Sequence, residues 1–544
     1  MNEQQHNRGI HPAFFVLITV FFFWGFVAAS NGIFIPFCKN HFNLNQLESQ
    51  LIDFSFYGAY FIGSLILYLL SAVRGEDILN RIGYRKGIIY GLLISVVGAI
   101  LLIGAVNIGV GMENKTLAFF LILIAFFIVA LGFSLQQVAA NPFAVVLGNP
   151  ETGSHRLNLA GGINSFGTAI GPLIISVLLF GTAAGSGSGA HTDISGVNKV
   201  YILLAVLFLA VAILFAFAKM PEVTSKEHFE KTRKASNAML LVTAFFVLIV
   251  IGIVSSFRLP LFVLGIIGIL VVLLYSNKAA QKHGDGWGAM KYPQLAMGMI
   301  AIFVYVGTEV TIQSNMGALL ELPGFLTPHG LSASQIDPYI SLYWGSLMIG
   351  RWAGAITAFN LKKSVRKILL VVVPFVAYAV VLLVNSLKGN DYTELLPYIP
   401  CIVIQIIGFF WGQEKPAKTL IIFGFLGIAA MLVGLLTIGK IATFAFVSGG
   451  LFCSVMWPGI FALSISGLGK YTSQGSAFLI MMILGGSLIP PVQGGLADLS
   501  FIGIHASYVI PMICFAFLAF FAYRVKGLLK SQGIDYESAI SSGH

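Results

Sequence analysis

The chain has 544 residues, 57% of them hydrophobic and 10% charged, with a formal net charge of +10. A soluble domain carries about a quarter charged residues, so no globular core can absorb this apolar surface, and lipid must be the solvent for most of the chain. The basic excess belongs to loops beside anionic lipid, which makes a nucleic-acid reading unnecessary. The four cysteines (Cys38, Cys401, Cys453, Cys514) show no metal or redox spacing; no cofactor, metal or disulfide is expected.

Apolar blocks fall near 13–36, 51–72, 87–108, 117–145, 157–181, 199–218, 237–255, 258–276, 294–320, 338–360, 367–387, 396–412, 417–438, 441–467, 474–494 and 501–523. Each approaches the ~20 residues that a helix needs to cross ~30 Å of hydrocarbon. Sixteen spans are therefore predicted, with 396–412 the shortest. The first block is longer than a signal h-region and lacks a small-residue cleavage site, so the first helix itself is expected to direct insertion. With the N-terminus in the cytoplasm, most of the 31 Lys and Arg residues fall on the cytoplasmic side, as the positive-inside rule requires. A multi-pass membrane protein with both termini cytoplasmic is expected.

An internal repeat links the second and tenth spans. Gly58 is followed by Ile62-Gly63 and Gly345 by Ile349-Gly350 at the same offsets, and each block runs into a short basic loop, at 81–87 and 362–367. Likewise Asn141-Pro142 and Trp457-Pro458 are each expected to interrupt a helix, and each precedes a loop and a glycine-rich helix ending in Pro172 or Pro490. Parallel repeats of this kind mark transporters built from two six-helix halves with a midplane site. Residues 1–220 form the first half, 221–293 a linker containing an extra hairpin at 237–276, 294–528 the second half with an extra hairpin at about 396–438, and 529–544 a tail.

A charge at the bilayer centre costs about 2.5 to 3.5 kcal/mol even on lenient scales, so each asks for a reason. Glu309, midway along its span with Gln313 one turn later on the same face, is the leading proton-coupling candidate; as a mere helix staple it would stay paired. Asp53, near the end of the second span, is the second candidate, with interfacial hydration or a helix N-terminus as its plain alternative. Arg351 is read as a snorkelling or helix-pairing residue. The neutral amides Asn31, Gln136, Gln137, Asn141, Asn164, Gln313 and Asn315 can donate to and accept from sugar hydroxyls. Aromatic faces such as Trp457 can cover an apolar sugar face, while some of the amides serve only to bond helix to helix.

The runs FFFWGFVAASNGIFIP, RIGYRKG, VAANPFAVVLGNPETGSHRLNLAGGINSFG, YVGTEV, IGRWAG and SGGLFCSVMWPGIFALSISGLGKYTSQGSAFLIMMILGGSLIPPVQGGLAD resemble the fucose/galactose/glucose:proton symporter family of the major facilitator superfamily. The resemblance covers most of both halves and leaves out the extra hairpins. It implies an all-α membrane protein of major facilitator fold with two six-helix halves, importing a neutral monosaccharide across a bacterial inner membrane by proton symport; the span count adds two extra transmembrane hairpins. Asn31 and Asn164 match family asparagines. The family's fucose carriers, however, have an acid after the first-helix asparagine, where this chain reads Gly32, and a Glu just before AANPF, where it reads Gln137. Proton coupling would therefore pass to Glu309 or Asp53, with a sodium-coupled or uncoupled carrier as the alternative.

A non-transporting membrane sugar sensor would use the same site but need a signalling partner, which the short tails do not supply. An embedded enzyme would need paired carboxylates, an activated nucleophile or a metal cluster, and the sequence offers no such set. The expected partners are a monosaccharide, a proton or sodium ion and the lipid bilayer, around a monomer.

Overall fold

The computed structural model describes residues 10–42, 46–148, 152–180, 194–222, 232–254, 258–359, 361–413 and 415–534. Hydrocarbon offers no water to backbone N–H and C=O groups, so long apolar runs satisfy them internally as helices; the described residues contain no strand. In chain order the helices are α1 (Ala13–His41), α2 (Gln46–Arg74), α3 (Ile78–Ile82), α4 (Tyr84–Gly111), α5 (Lys115–Val146), α6 (Gly153–Phe180), α7 (Ile194–Phe217), α8 (Arg233–Val254), α9 (Arg258–Lys282), α10 (Pro293–Ser314), α11 (Met316–Glu321), α12 (Ala333–Ala355), α13 (Lys363–Leu387), α14 (Ile399–Gly412), α15 (Pro416–Leu436), α16 (Gly439–Cys453), α17 (Met456–Ile465), α18 (Thr472–Met481), α19 (Gly485–Ala497), α20 (Gly503–Ala506) and α21 (Val509–Ser531).

Their ends have local causes. Pro293 and Pro416 open α10 and α15 in the first turn, where a missing N–H is harmless. The Asn114 side chain accepts from the Leu117 N–H at the start of α5, and Ser332 with Gln335 forms a reciprocal capping box on α12.

Every one of the predicted spans falls on helical segments, some on two in succession such as α16–α17 and α18–α19, yet among the described residues only thirteen are long and apolar enough to qualify as spans on their own. The other three expected spans lie on α1, whose described apolar stretch is Ala13–Val27, and on α6 and α12. The last two are full-length helices diluted by polar residues, among them Asn158, Asn164, Asp337 and Arg351. Apolarity falls where polar groups gather.

The chain packs as two compact units: Met1–Gly63, Gly83–Val223 and Ser332–Ile402 form unit one, and Ser64–Ile82, Thr224–Leu331 and Val403–His544 form unit two. Within unit one, α4 lies against α5 and α7, α1 against α6, and α12 against α6 and α13. Within unit two, α15 lies against α16 and α21, and α10 against α19. The α4/α5/α7 and α1/α6 pairs of unit one match the α15/α16/α21 and α10/α19 pairs of unit two, while the α12 pairs have no such counterpart. Close approach needs small residues in both: a Cβ on Gly25 would overlap the Asn164 carbonyl oxygen, and one on Gly485 would overlap that of Phe303.

Burial sorts the helices of unit two. The apolar stretch within Gly439–Ile465 is 94% buried, and those within Pro293–Glu321 and Gly469–Ala497 are 78% buried, against 33% for Pro416–Leu436. The first three are inner helices, and α15 turns much of its surface to lipid.

The two expected proline interruptions differ. Pro142 sits inside an unbroken α5, and one turn earlier the Gln137 carbonyl gains a side-chain bond from Asn141 Nδ2 at 3.0 Å. Pro458 instead follows a true break at Ser454 and Val455 and occupies the first turn of α17, where proline is tolerated.

Candidate functional site

In unit one, Gln136 ties three helices together. Its Oε1 accepts from Trp24 Nε1 of α1 at 2.9 Å, and its Nε2 donates to Ser95 Oγ of α4 at 3.2 Å. Gln136 is 1% exposed, so both ends of the amide serve the protein, and Trp24 is pinned with its ring 4.4 Å from Phe21. The half-buried Gln137 donates to Tyr60 Oη at 3.2 Å. Asn164 of α6, also half-buried, donates to the Phe21 carbonyl at 3.0 Å. Asn141 is buried, and its Oδ1 has no hydrogen-bond partner among the described residues.

The α6–α12 seam carries further bonds. Arg351 Nη1 donates to Ser165 Oγ at 2.7 Å, Trp352 Nε1 donates to the Gly162 carbonyl at 3.1 Å, and the His155 ring meets the Gly354 carbonyl at 3.0 Å. Arg351 thus pairs helices, as the sequence suggested. Asn31 and Asp53 fall on α1 and α2, but their side chains lie outside the described residues.

In unit two, Tyr305, Glu309 and Gln313 follow one another at intervals of one turn along α10, which sets them on one face. Tyr305 is buried, whereas Glu309 and Gln313 are half-buried. The Tyr305 ring lies 6.2 Å from that of Trp457, which stacks on Phe461 at 5.9 Å and 27°. Asn315 closes α10 by donating to the Thr311 carbonyl at 3.0 Å. Beside it runs a network that the sequence reading missed: Thr311 Oγ1 donates to Gln493 Oε1 at 2.7 Å, and Gln493 Nε2 donates to Ser507 Oγ at 3.2 Å. Gln493 is fully buried. Its signal was present in PPVQGG, an amide inside an apolar span, the same residue type that marks Gln136.

The sequence model of the Major Facilitator Superfamily matches residues 14–416. The chain belongs to the major facilitator superfamily. It is 32% identical to a glucose/galactose transporter of Brucella abortus over 519 residues, covering 95% of each protein. It is 24% identical to the L-fucose-proton symporter of Escherichia coli, covering 95% of this chain and 93% of that one. A crystal structure of the E. coli fucose transporter in the outward conformation superposes with a TM-score of 0.62 at 23% identity, covering 94% of this chain and 98% of that chain. The shared architecture is the major facilitator fold of a multi-pass membrane protein.

The superfamily's basic loop is well anchored. Asp77 Oδ1 caps α3, accepting from the Leu79 and Asn80 N–H groups at 2.8 and 3.1 Å and from Ser473 Oγ at 2.9 Å. Asn80 Nδ2 donates to the Lys470 carbonyl at 3.1 Å. Burial pushes the Asp77 carboxyl above its ordinary value, against the lowering pull of these hydrogen bonds. In unit one, Arg85 donates to the Phe215 and Ala216 carbonyls at the end of α7, a favourable place for a cation.

Proposed function

We propose that this chain imports a neutral monosaccharide of the glucose, galactose or fucose type, driven by protons, through alternating access at a site near the bilayer midplane. The observation that carries the reading is the α10 face, where half-buried Glu309 stands one turn from Gln313 and one turn from Tyr305, the partner of Trp457. A single acid set among amides, hydroxyls and aromatic rings suits a ligand with many hydroxyls and no charge, together with one titratable proton carrier. The names of the curated relatives support the same substrate class.

In this reading Glu309 carries the proton, with Asp53 as its alternative. Asn31, Gln137, Asn141, Asn164, Gln313 and Asn315 offer hydrogen bonds to the sugar, and Trp457 covers a ring face. Gln136, engaged at both ends, acts by fixing Trp24. The protein works as a monomer in a bacterial inner membrane with both termini cytoplasmic.

We keep 1–220 and 294–528 as the two halves, 221–293 as the linker with hairpin 237–276, and 529–544 as the tail. For the second insertion we favour α13–α14 over the pair at about 396–438. The reason is that α15 has the neighbours of a core helix: it packs on α16 and α21 as α4 packs on α5 and α7.

Uptake of labelled monosaccharides into proteoliposomes under an imposed pH or sodium gradient tests the reading. Accumulation of a hexose or fucose driven by the pH gradient is expected. Accumulation driven only by sodium would replace the coupling ion, and no uptake of any sugar would sink the proposal.

A further inference from the structure

We infer that Gln405, on the inserted helix α14, is a positioning residue for the sugar site, because it secures the break between α16 and α17 that sets Trp457. This rests on the transport reading above. Pro458 has no N–H, so the carbonyl of Ser454, four residues earlier, loses its helical donor, and regular bonding resumes with Gly459 N–H to the Val455 carbonyl at 3.2 Å. A helix broken inside hydrocarbon needs side chains from its neighbours to satisfy the loosened turn.

Two side chains converge there. Ser454 Oγ donates to the Leu451 carbonyl at 2.6 Å, and Gln405 Nε2 reaches the same carbonyl at 3.0 Å, with Ser454 Oγ itself 3.5 Å away. Gln405 is fully buried, although Val403, Ile404, Ile407 and Trp411 of the same helix are exposed. Its Oε1 has no hydrogen-bond partner among the described residues, which is costly in an apolar setting. A helix that merely filled space beside the core would carry an apolar residue at this position. What the amide holds in place is the last turn of α16 and Ser454 of the break, from which the chain enters α17, whose Trp457 faces Tyr305, one turn before Glu309 on α10.

Gln405→Met keeps volume and removes the amide, while the Leu451 carbonyl retains Ser454. Sugar affinity is measured for this variant in the full chain, in the native and in the Trp457→Ala background. If Gln405 acts through Trp457, affinity falls about tenfold in the first background and less than about threefold in the second. An equal fall in both backgrounds, or no fall in the first, overturns the inference. A second measurement needs no sugar: the rate at which a water-soluble thiol reagent labels Trp457→Cys, against the parent chain with its native cysteines. Gln405→Met is expected to change that rate by about threefold or more as the bend relaxes, and an unchanged rate overturns the inference. Should the wild type bind no sugar, the transport reading fails and the labelling rate alone decides. If Gln405→Met does not fold, Gln405→Asn, whose shorter amide falls short of the carbonyl, takes its place in both measurements.

Discussion

Unit one and unit two repeat the same helix packing but use their polar groups differently. In unit one the pattern α1/α6 with α4/α5/α7 is crossed by amides bonded to protein partners, Gln136 to Trp24 and Ser95, Gln137 to Tyr60, and Asn164 to the Phe21 carbonyl. In unit two the matching pattern α10/α19 with α15/α16/α21 places the hydroxyl–amide chain Thr311–Gln493–Ser507 next to a half-buried acid, Glu309. The two units therefore share this part of their backbone packing, which small residues such as Gly25 and Gly485 permit, and differ in polar chemistry. Where the family's fucose carriers are expected to hold acids, unit one has Gly32 and Gln137; in unit two the half-buried Glu309 stands on α10.

If the amides of unit one hold shape, breaking one should damage the fold more than any ligand contact does. Gln136→Leu leaves the Trp24 N–H and Ser95 hydroxyl without their partner, and a loss of roughly 3 kcal/mol in unfolding free energy is expected, read as a lowered Tm in detergent. An unchanged Tm would remove the scaffold role from unit one. The aromatic cover in unit two is tested by Trp457→Ala, expected to weaken sugar binding by about 2 kcal/mol, roughly thirtyfold, with little change in Tm; unchanged affinity would take Trp457 out of the site.

Asn164 sharpens the contrast, since its amide both braces α1 and faces partly open space. Asn164→Ala should weaken sugar binding by about 1 to 2 kcal/mol in a fluorescence titration; normal binding by a folded variant would make it scaffold alone. The smallest effect lies at the Asp77 cap in unit two. Because burial raises this carboxyl above its ordinary 3.8, the folded chain binds that proton more tightly than the unfolded chain, and stability declines as pH rises through the raised value. Asp77→Asn keeps a capping oxygen and should flatten the Tm profile from about pH 4 upward. A profile identical to wild type would contradict that assignment.

The helices were legible because lipid leaves the backbone no other way to bond, and apolar length alone places α4 or α21. Gly58 and Gly345, which carry the repeat in the sequence, fall inside the continuous helices α2 and α12. The fate of the two prolines was not legible, since Pro142 and Pro458 look alike in sequence, and only the neighbouring bonds decide between the continuous α5 and the break before α17. Hydropathy also leaves both α13–α14 and α14–α15 open as the second inserted pair, because lipid-facing helices read alike whichever neighbour they pack on. Gln493 and Gln405 were overlooked for a related reason: an amide in an apolar run announces a buried partner without naming it, and Thr311 and Leu451 are distant in sequence.

Glu309→Gln decides whether the coupling acid stands on α10. Glutamine keeps the shape and much of the hydrogen bonding but cannot release a proton. In proteoliposomes the variant is predicted to exchange labelled for unlabelled sugar at a rate within about threefold of wild type, while losing accumulation driven by an imposed pH difference. Full pH-driven accumulation by Glu309→Gln would contradict that placement and shift the proton to Asp53, and loss of exchange as well would make Glu309 a sugar ligand or a helix staple.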